Sequence, residues 1–147
     1  METKKYLDMA IAEARQGEKE GGIPIGAVIV CQGKVIGKGR NKRIQEGSVI
    51  KHGEMDALEN AGRLTSAIYQ SSTLYTTLSP CPMCSGAILL YGIKKVVVGE
   101  NSNFLGDEDH LRKNGVEVIV LQDDECIQMM KSFIKRNPQL WNEDIGV

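Results

Sequence analysis

From residue 52 to residue 136 the sequence alternates between two periodicities, and no other feature limits its possible folds so strongly. "HGEMDALENAGRL" carries a helical pattern, "TLYTTL" reads as a short buried strand, and "CPMCSGAILLYG" is a helix ended by Gly92. "KKVVVGE" is then a strand, "DEDHLRKNG" a short helix, "VEVIVL" a strand, and "DECIQMMKSFIKR" a long helix stopped by Asn137 and Pro138. Strands separated by helices are joined by right-handed parallel crossovers, which put the helices on the faces of the sheet. Upstream, Leu7, Ile11 and Ala14 recur at helical spacing, and the β-rich runs "PIGAVIV" and "KVIGKGRN" flank "CQG", a connection suited to a hairpin. The expected architecture is α/β. It is a three-layer α/β/α sandwich around a mixed five-stranded sheet, with an N-terminal antiparallel hairpin, parallel C-terminal strands and helices on both faces. No stretch of the 147 residues has the composition of a linker, so residues 1–147 are read as one domain.

The charge balance restricts the partners. A net charge of −1 gives no general attraction to a polyanion, and the basic knots "RNKR" (40–43) and "KK" (94–95) read as solvated surface. "METKKYLDMA" lacks an apolar signal core, and no run approaches the ~18 apolar residues of a membrane span. A cytoplasmic protein without membrane or nucleic-acid partners is expected. In a reducing compartment, four cysteines are metal ligands, reactive thiols or core residues rather than a disulfide framework. Cys31 and Cys126 lie in apolar patterns and read as small buried residues, which sets Cys81 and Cys84 apart.

Those two fall at the start of a predicted helix, where positions i and i+3 share a face and both sulfurs can reach one ion. The positive end of the helix dipole there favours the thiolate. His52 would begin the helix "HGEMDALENAGRL" and supply a third ligand, making a zinc site with one tetrahedral position left for water. Glu54, two residues further on, is placed to act as the base and proton carrier for that water. Each motif alone has another reading: C-x-x-C as a redox pair, H-x-E as helix surface. A structural zinc site would need a fourth ligand, for which Cys31, Cys126 and His110 are the candidates. "HGE" followed by "PCPMC" together match the H-x-E…P-C-x-x-C signature of zinc nucleobase deaminases.

The likeness extends past the motif. "GGIPIGAVIV", "HGEMDALENAGRL", "LYTTLSPCPMCSGAILLYGI", "VVGENSNF" and "PQLWNEDIG" together resemble the fungal-type cytosine deaminases of the cytidine/deoxycytidylate deaminase superfamily over nearly the whole chain. The resemblance implies hydrolytic deamination of free cytosine to uracil and ammonia in pyrimidine salvage, with one Zn²⁺ per chain on His52, Cys81 and Cys84, Glu54 as catalytic residue, and a homodimer. It also implies a substrate pocket lined by Asn41, Phe104, Trp141 and Asp144, with Gly53, Ser79 and Ile25 at the ring. Two aromatic rings suit a flat base, an amide suits a ring edge, and a carboxylate suits an exocyclic amine. Arg40, Pro82 and the segment after Phe104 depart from the family pattern and could alter base preference. The alternatives are another free base such as guanine or isocytosine, or an adenosine in tRNA, which would call for a basic face that this composition does not show. A non-catalytic structural-zinc or redox protein is the reading from a different class. The C-terminal "NPQLWNEDIGV" has the propensity of a loose tail, and the expectation is that it closes over the pocket as a lid.

Overall fold

The computed structural model describes residues 2–147. The chain runs α1 (Glu2–Lys19), β1 (Gly26–Cys31), β2 (Lys34–Arg40), α2 (Arg43–Glu46), α3 (Gly53–Ala61), α4 (Ser66–Gln70) and β3 (Ser72–Thr76). It continues through α5 (Pro82–Tyr91), β4 (Lys95–Val98), α6 (Glu108–Lys113), β5 (Glu117–Val120), α7 (Asp124–Arg136) and α8 (Pro138–Asp144). The five strands form one sheet in the order β2-β1-β3-β4-β5. β1 pairs antiparallel with both β2 and β3, while β3, β4 and β5 are parallel. The mixed sheet and its parallel half are those read from the alternation. At the hairpin, Gln32 and Gly33 both take positive φ, 50° and 78°, as a two-residue turn matched to strand twist requires.

Strand periodicity sorts the core into two layers. Ala27, Ile29, Leu74, Val96 and Val98 point to one face, where they meet Ala57 of α3, Tyr69 of α4, Ile88 of α5 and Leu111 of α6. Their strand neighbours Val28, Val30, Tyr75 and Val97 point to the other and pack on Tyr6 and Ala10 of α1. Cys126 of α7 is fully buried beside Leu7 and Ile11 of α1, so α7 joins that second layer. Both faces of the sheet are therefore covered by helices, as parallel strands demand.

Two glycines in the edge strand β2 bring α3 onto the sheet. A Cβ at Gly39 would overlap the backbone of Asp56 and Ala57, and one at Gly37 would overlap the Ala57 carbonyl. With hydrogens there instead, the α3 backbone lies directly on β2, which carries His52 and Glu54 toward the open end of the sheet. The Ala57 side chain is fully buried by the same approach.

Three short helices, α2, α4 and α8, were not expected from the pattern. α7 does stop at Asn137, but Pro138 then takes the first turn of a new helix, where its missing N–H costs nothing. The tail is not loose: Trp141 and Ile145 pack with Ile23, Ile25, Leu78, Met130 and Phe133.

Candidate functional site

His52 is the N-cap of α3 and Cys81 the N-cap of α5, so two helix starts converge at one end of the sheet. Pro82 occupies the first turn of α5, and the Cys84 amide donates to the Cys81 sulfur at 3.5 Å. His52 Nδ1 lies 3.4 Å from Cys81 Sγ and 3.7 Å from Cys84 Sγ. A tetrahedral zinc with N and S bonds of about 2.0 and 2.3 Å sets ligand edges of about 3.6 Å, so the triangle has the size of a zinc face. Among the described residues, these three form the one group able to hold a metal ion, and Cys31, Cys126 and His110 take no part in it. The site is thus short of a fourth protein ligand, the arrangement of a catalytic rather than a structural ion.

The ring of His52 is held from behind. Its Nε2 lies 3.2 Å from the backbone carbonyl of Asp144 in α8 and 3.5 Å from that residue's carboxylate. A carbonyl only accepts, so Nε2 carries the proton and Nδ1 presents its lone pair to the metal position.

In the metal-free site the thiols divide. A hydrogen bond from Cys84 and the neighbouring His52, working against burial, bring the Cys81 thiol down to about 4. Cys84, hydrogen-bonded to that thiolate and buried, is pushed well up. Burial opposes charge on His52, but the bond to Cys81 and the negative fields of Asp144 and Glu54 outweigh it and raise the imidazole to about 9. Glu54 is almost wholly buried, which raises its carboxyl to about 7 against the opposing field of His52.

A prediction follows for Cys81. Above about pH 4 it is already the thiolate, so alkylation of the zinc-free protein at Cys81 should be nearly independent of pH from 5.5 to 8. An ordinary thiol of pKa ~8.5 gains about tenfold per pH unit over that range. Stoichiometric zinc, about one per chain, should abolish the labelling. A labelling rate that climbs with pH like that of a free thiol would mean that Cys81 is not held as the thiolate, and one that zinc leaves untouched would remove Cys81 from the ion.

Beside the triangle is a cavity lined by Ile25, His52, Glu54, Leu78, Ser79, Cys81, Phe104, Trp141, Asp144 and Ile145. Of the residues expected around a substrate, Ile25, Ser79, Phe104, Trp141 and Asp144 line it. Asn41 does not. It is fully buried behind Asp144, donating from Nδ2 to Asp144 Oδ1 at 3.0 Å and accepting from the Arg43 amide at 3.1 Å. Gly53 is the first residue of α3 and packs against Ile25, where a Cβ would come within 3.2 Å of the Ile25 carbonyl. Phe104 and Trp141 do not form a parallel slot. Their centroids are 5.9 Å apart with planes at 85°, the edge-to-face contact that ring quadrupoles favour.

Several contributors escape the motif. Leu78 and Ile145 give apolar walls that no spacing marks. Buried Glu108, in the segment after Phe104, accepts from Ser79 Oγ at 2.6 Å and from Asn101 Nδ2 at 3.2 Å, while the Gly106 amide donates to Ser79 Oγ at 2.9 Å. That network ties the Phe104 loop to the residues just before Cys81. Arg40 is not among the residues that line the cavity and is paired instead with Glu13 at 2.9 Å and Glu20 at 2.8 Å.

The model of the cytidine and deoxycytidylate deaminase zinc-binding region matches residues 1–100, a span that includes His52, Glu54, Cys81 and Cys84. The chain belongs to this deaminase family. Within the family it is 60% identical over 144 residues to the cytosine deaminase of Candida albicans, covering 97% of this chain and 96% of that one. It is 36% identical over 141 residues to the tRNA-specific adenosine deaminase of Bacillus subtilis, at 88% and 87% coverage. A solved guanine deaminase from Nitrosomonas europaea shares the fold with a TM-score of 0.72 at 19% identity, over 87% of this chain and 82% of that one. For a member of this zinc-binding family, the size of the triangle and its two cysteines identify the metal as zinc, one ion per chain.

Proposed function

We propose that this chain hydrolyses free cytosine to uracil and ammonia, acting in pyrimidine salvage in the cytoplasm as a homodimer. The carrying observation is a cavity set against the His52–Cys81–Cys84 triangle and buried Glu54, in a chain 60% identical to a cytosine deaminase. Trp141, Asp144 and Ile145 wall it on one side, so a flat ring lying against the triangle would bring a ribose on N1 up against α8.

The walls divide by chemistry. Ile25, Leu78, Phe104, Trp141 and Ile145 offer apolar contact to a flat ring. The Gly53 amide, in the first turn of α3, has no intrahelical acceptor and is free for a ring oxygen. The Asp144 carboxylate accepts from an exocyclic amine, and Asn41 holds that carboxylate in position. When bound to His52, Cys81 and Cys84, zinc lowers the pKa of a water and so supplies a nucleophile at neutral pH. Glu54 takes a proton from the water that adds to C4 and delivers it to N3. It then carries the second proton to the amine, which leaves as ammonia while the C4 carbonyl forms. A buried carboxyl near 7, before the ion's charge is added, suits a group that must both accept and donate.

The test is ammonia release from a panel of cytosine, cytidine, guanine, isocytosine and an adenosine-bearing tRNA stem-loop. Cytosine should exceed cytidine in kcat/KM by at least about 10², because the sugar meets the side chains of α8. Equal values would mean that α8 does not close the cavity, and turnover of the stem-loop above that of cytosine would move the reading to RNA.

The homodimer reading has its own support. Leu90 and Tyr91 at the end of α5 are 73% and 48% exposed, and Tyr91 lines a groove with Met55, Leu58 and Leu64, rimmed by Glu59 and Arg63. Sedimentation should give twice the chain mass, and Leu90→Asp should give the monomer. A monomeric parent would end this reading. The cytoplasmic reading rests on four unpaired cysteines, two of them at a thiolate metal site that needs a reducing environment.

A further inference from the structure

We propose that Arg43 is a positioning residue, a latch that holds α8 closed over the cavity. Three segments meet at this one guanidinium, whose side chain is 11% exposed. Nε donates to the Val49 carbonyl at 2.8 Å, in the loop that leads into His52. Nη1 donates to the Asp144 carboxylate at 3.3 Å and to the carboxylate of Glu143. The contacts close a circuit: Arg43 grips Asp144, the Asp144 carbonyl faces His52 Nε2, and the loop before His52 is gripped by Arg43 in turn.

The geometry assigns the latch to Arg43 rather than to its neighbours. Glu143 is 61% exposed, so its ion pair alone contributes little. Asp144 is different, with a side chain only 2% exposed and Oδ1 taken by Asn41 and Arg43 together. That leaves Oδ2 as the oxygen turned toward His52 and the cavity. Asn41 is fixed in its turn by the Arg43 backbone amide, so a single residue sets both groups that orient the Asp144 carboxylate. A planar fork with several donors can grip a carbonyl and two carboxylates at once, whereas an ammonium cannot match that geometry. Trp141 and Asp144 of α8 wall the cavity, so a base that passes on that side displaces α8 and breaks the Arg43 contacts to it. The same holding force acts on bound substrate and on transition state, so its loss weakens binding without slowing the chemical step.

The proposal rests on the reading of the cavity as the substrate site, and the test separates the two. Trp141 is the only tryptophan in the chain and lies in α8, so its accessibility to acrylamide reports the latch without any substrate. In zinc-loaded Arg43→Met, the quenching constant should rise at least threefold over wild type. KM for cytosine should rise at least tenfold, with kcat within about threefold. Arg43→Lys should fall between the two in quenching, and Arg136→Gln, which removes an exposed ion pair with Glu18, should match wild type. If Arg43→Met does not fold by circular dichroism, Arg43→Lys carries the test, with a twofold rise in quenching as its threshold. Unchanged quenching overturns the latch, whatever KM does. Raised quenching with unchanged KM supports the latch and shows that the cavity beneath α8 is not where cytosine binds. A fall in kcat of more than tenfold with KM unchanged would make Arg43 part of the chemistry and overturn its assignment as a latch.

Discussion

Glu54→Gln is expected to keep its fold and its zinc and to lose nearly all turnover. The amide preserves volume and part of the hydrogen bonding in a pocket where Glu54 is only 4% exposed, so packing has little to lose. What disappears is the ability to take up and release a proton. A positioned acid–base group contributes ~10²–10⁴-fold, and here one carboxyl serves the water, the ring nitrogen and the departing amine, so the loss should reach about 10⁴-fold in kcat. The substitution also leaves the three ligand atoms in place, so zinc per chain should stay at the wild-type value. Cytosine should still bind with a KM within a few-fold of wild type. A variant with a third of normal turnover would remove Glu54 from the proton path. One that loses its zinc would make Glu54 a ligand instead.

The placement of Glu54 was legible because its determinants are local. A histidine cap, a carboxylate two residues later and a C-x-x-C at the next helix start are all matters of short spacing, and helix geometry converts spacing into direction. The sheet was legible for the same reason, since Val96, Val97 and Val98 sit in a run bounded by clear breaks. The rest depended on partners far along the chain. "RNKR" reads as solvated charge, yet Arg40 is paired with Glu13 and Glu20, Lys42 with Asp56 at 3.1 Å, and Arg43 with the C-terminal helix. No local pattern marks a cation whose acceptor lies about a hundred residues away. Asn41 shows the limit in the other direction. The family resemblance points it to the ring edge, but nothing local shows that the same amide also donates to Asp144 and accepts from the Arg43 amide, so that it positions a carboxylate of the cavity. In the tail, propensity weighs the polar residues and misses the helix, while packing weighs Trp141, which is 6% exposed among five other buried apolar side chains.

That packing sets the outcome of truncating the chain after Gln139. A dispensable lid would come off without consequence for fold or metal, but α8 is neither dispensable nor only a lid. Removing Trp141 takes a large buried ring from the cluster of Ile23, Ile25, Leu78, Met130 and Phe133, a loss of about 3–5 kcal/mol by comparison with large-to-small core substitutions. For a chain of this size that lowers Tm by about 6–20 °C. The cut also removes the Asp144 carbonyl that fixes the proton on His52 Nε2, and losing such an outer partner typically weakens metal binding about 10–100-fold. Without a wall on that side the base is no longer held against Glu54, and kcat/KM for cytosine should fall by more than about 10²-fold even with zinc in excess. Asp144→Asn separates these effects. It keeps the backbone carbonyl and the packing of Trp141, so zinc affinity should stay close to wild type, while loss of the buried pair with Arg43 should lower Tm by less than the truncation does. The neutral amide can donate as well as accept, no longer selects for an amine, and gives up its charge-assisted bond to Arg43, so activity should drop far more than stability. Measured together by calorimetry, zinc competition and ammonia release, the pair assigns structure to the helix and substrate selection to one carboxylate. A truncated enzyme with normal Tm, zinc affinity and turnover would strip α8 of all three roles. An Asp144→Asn enzyme that matches wild type in activity would take the carboxylate out of substrate recognition.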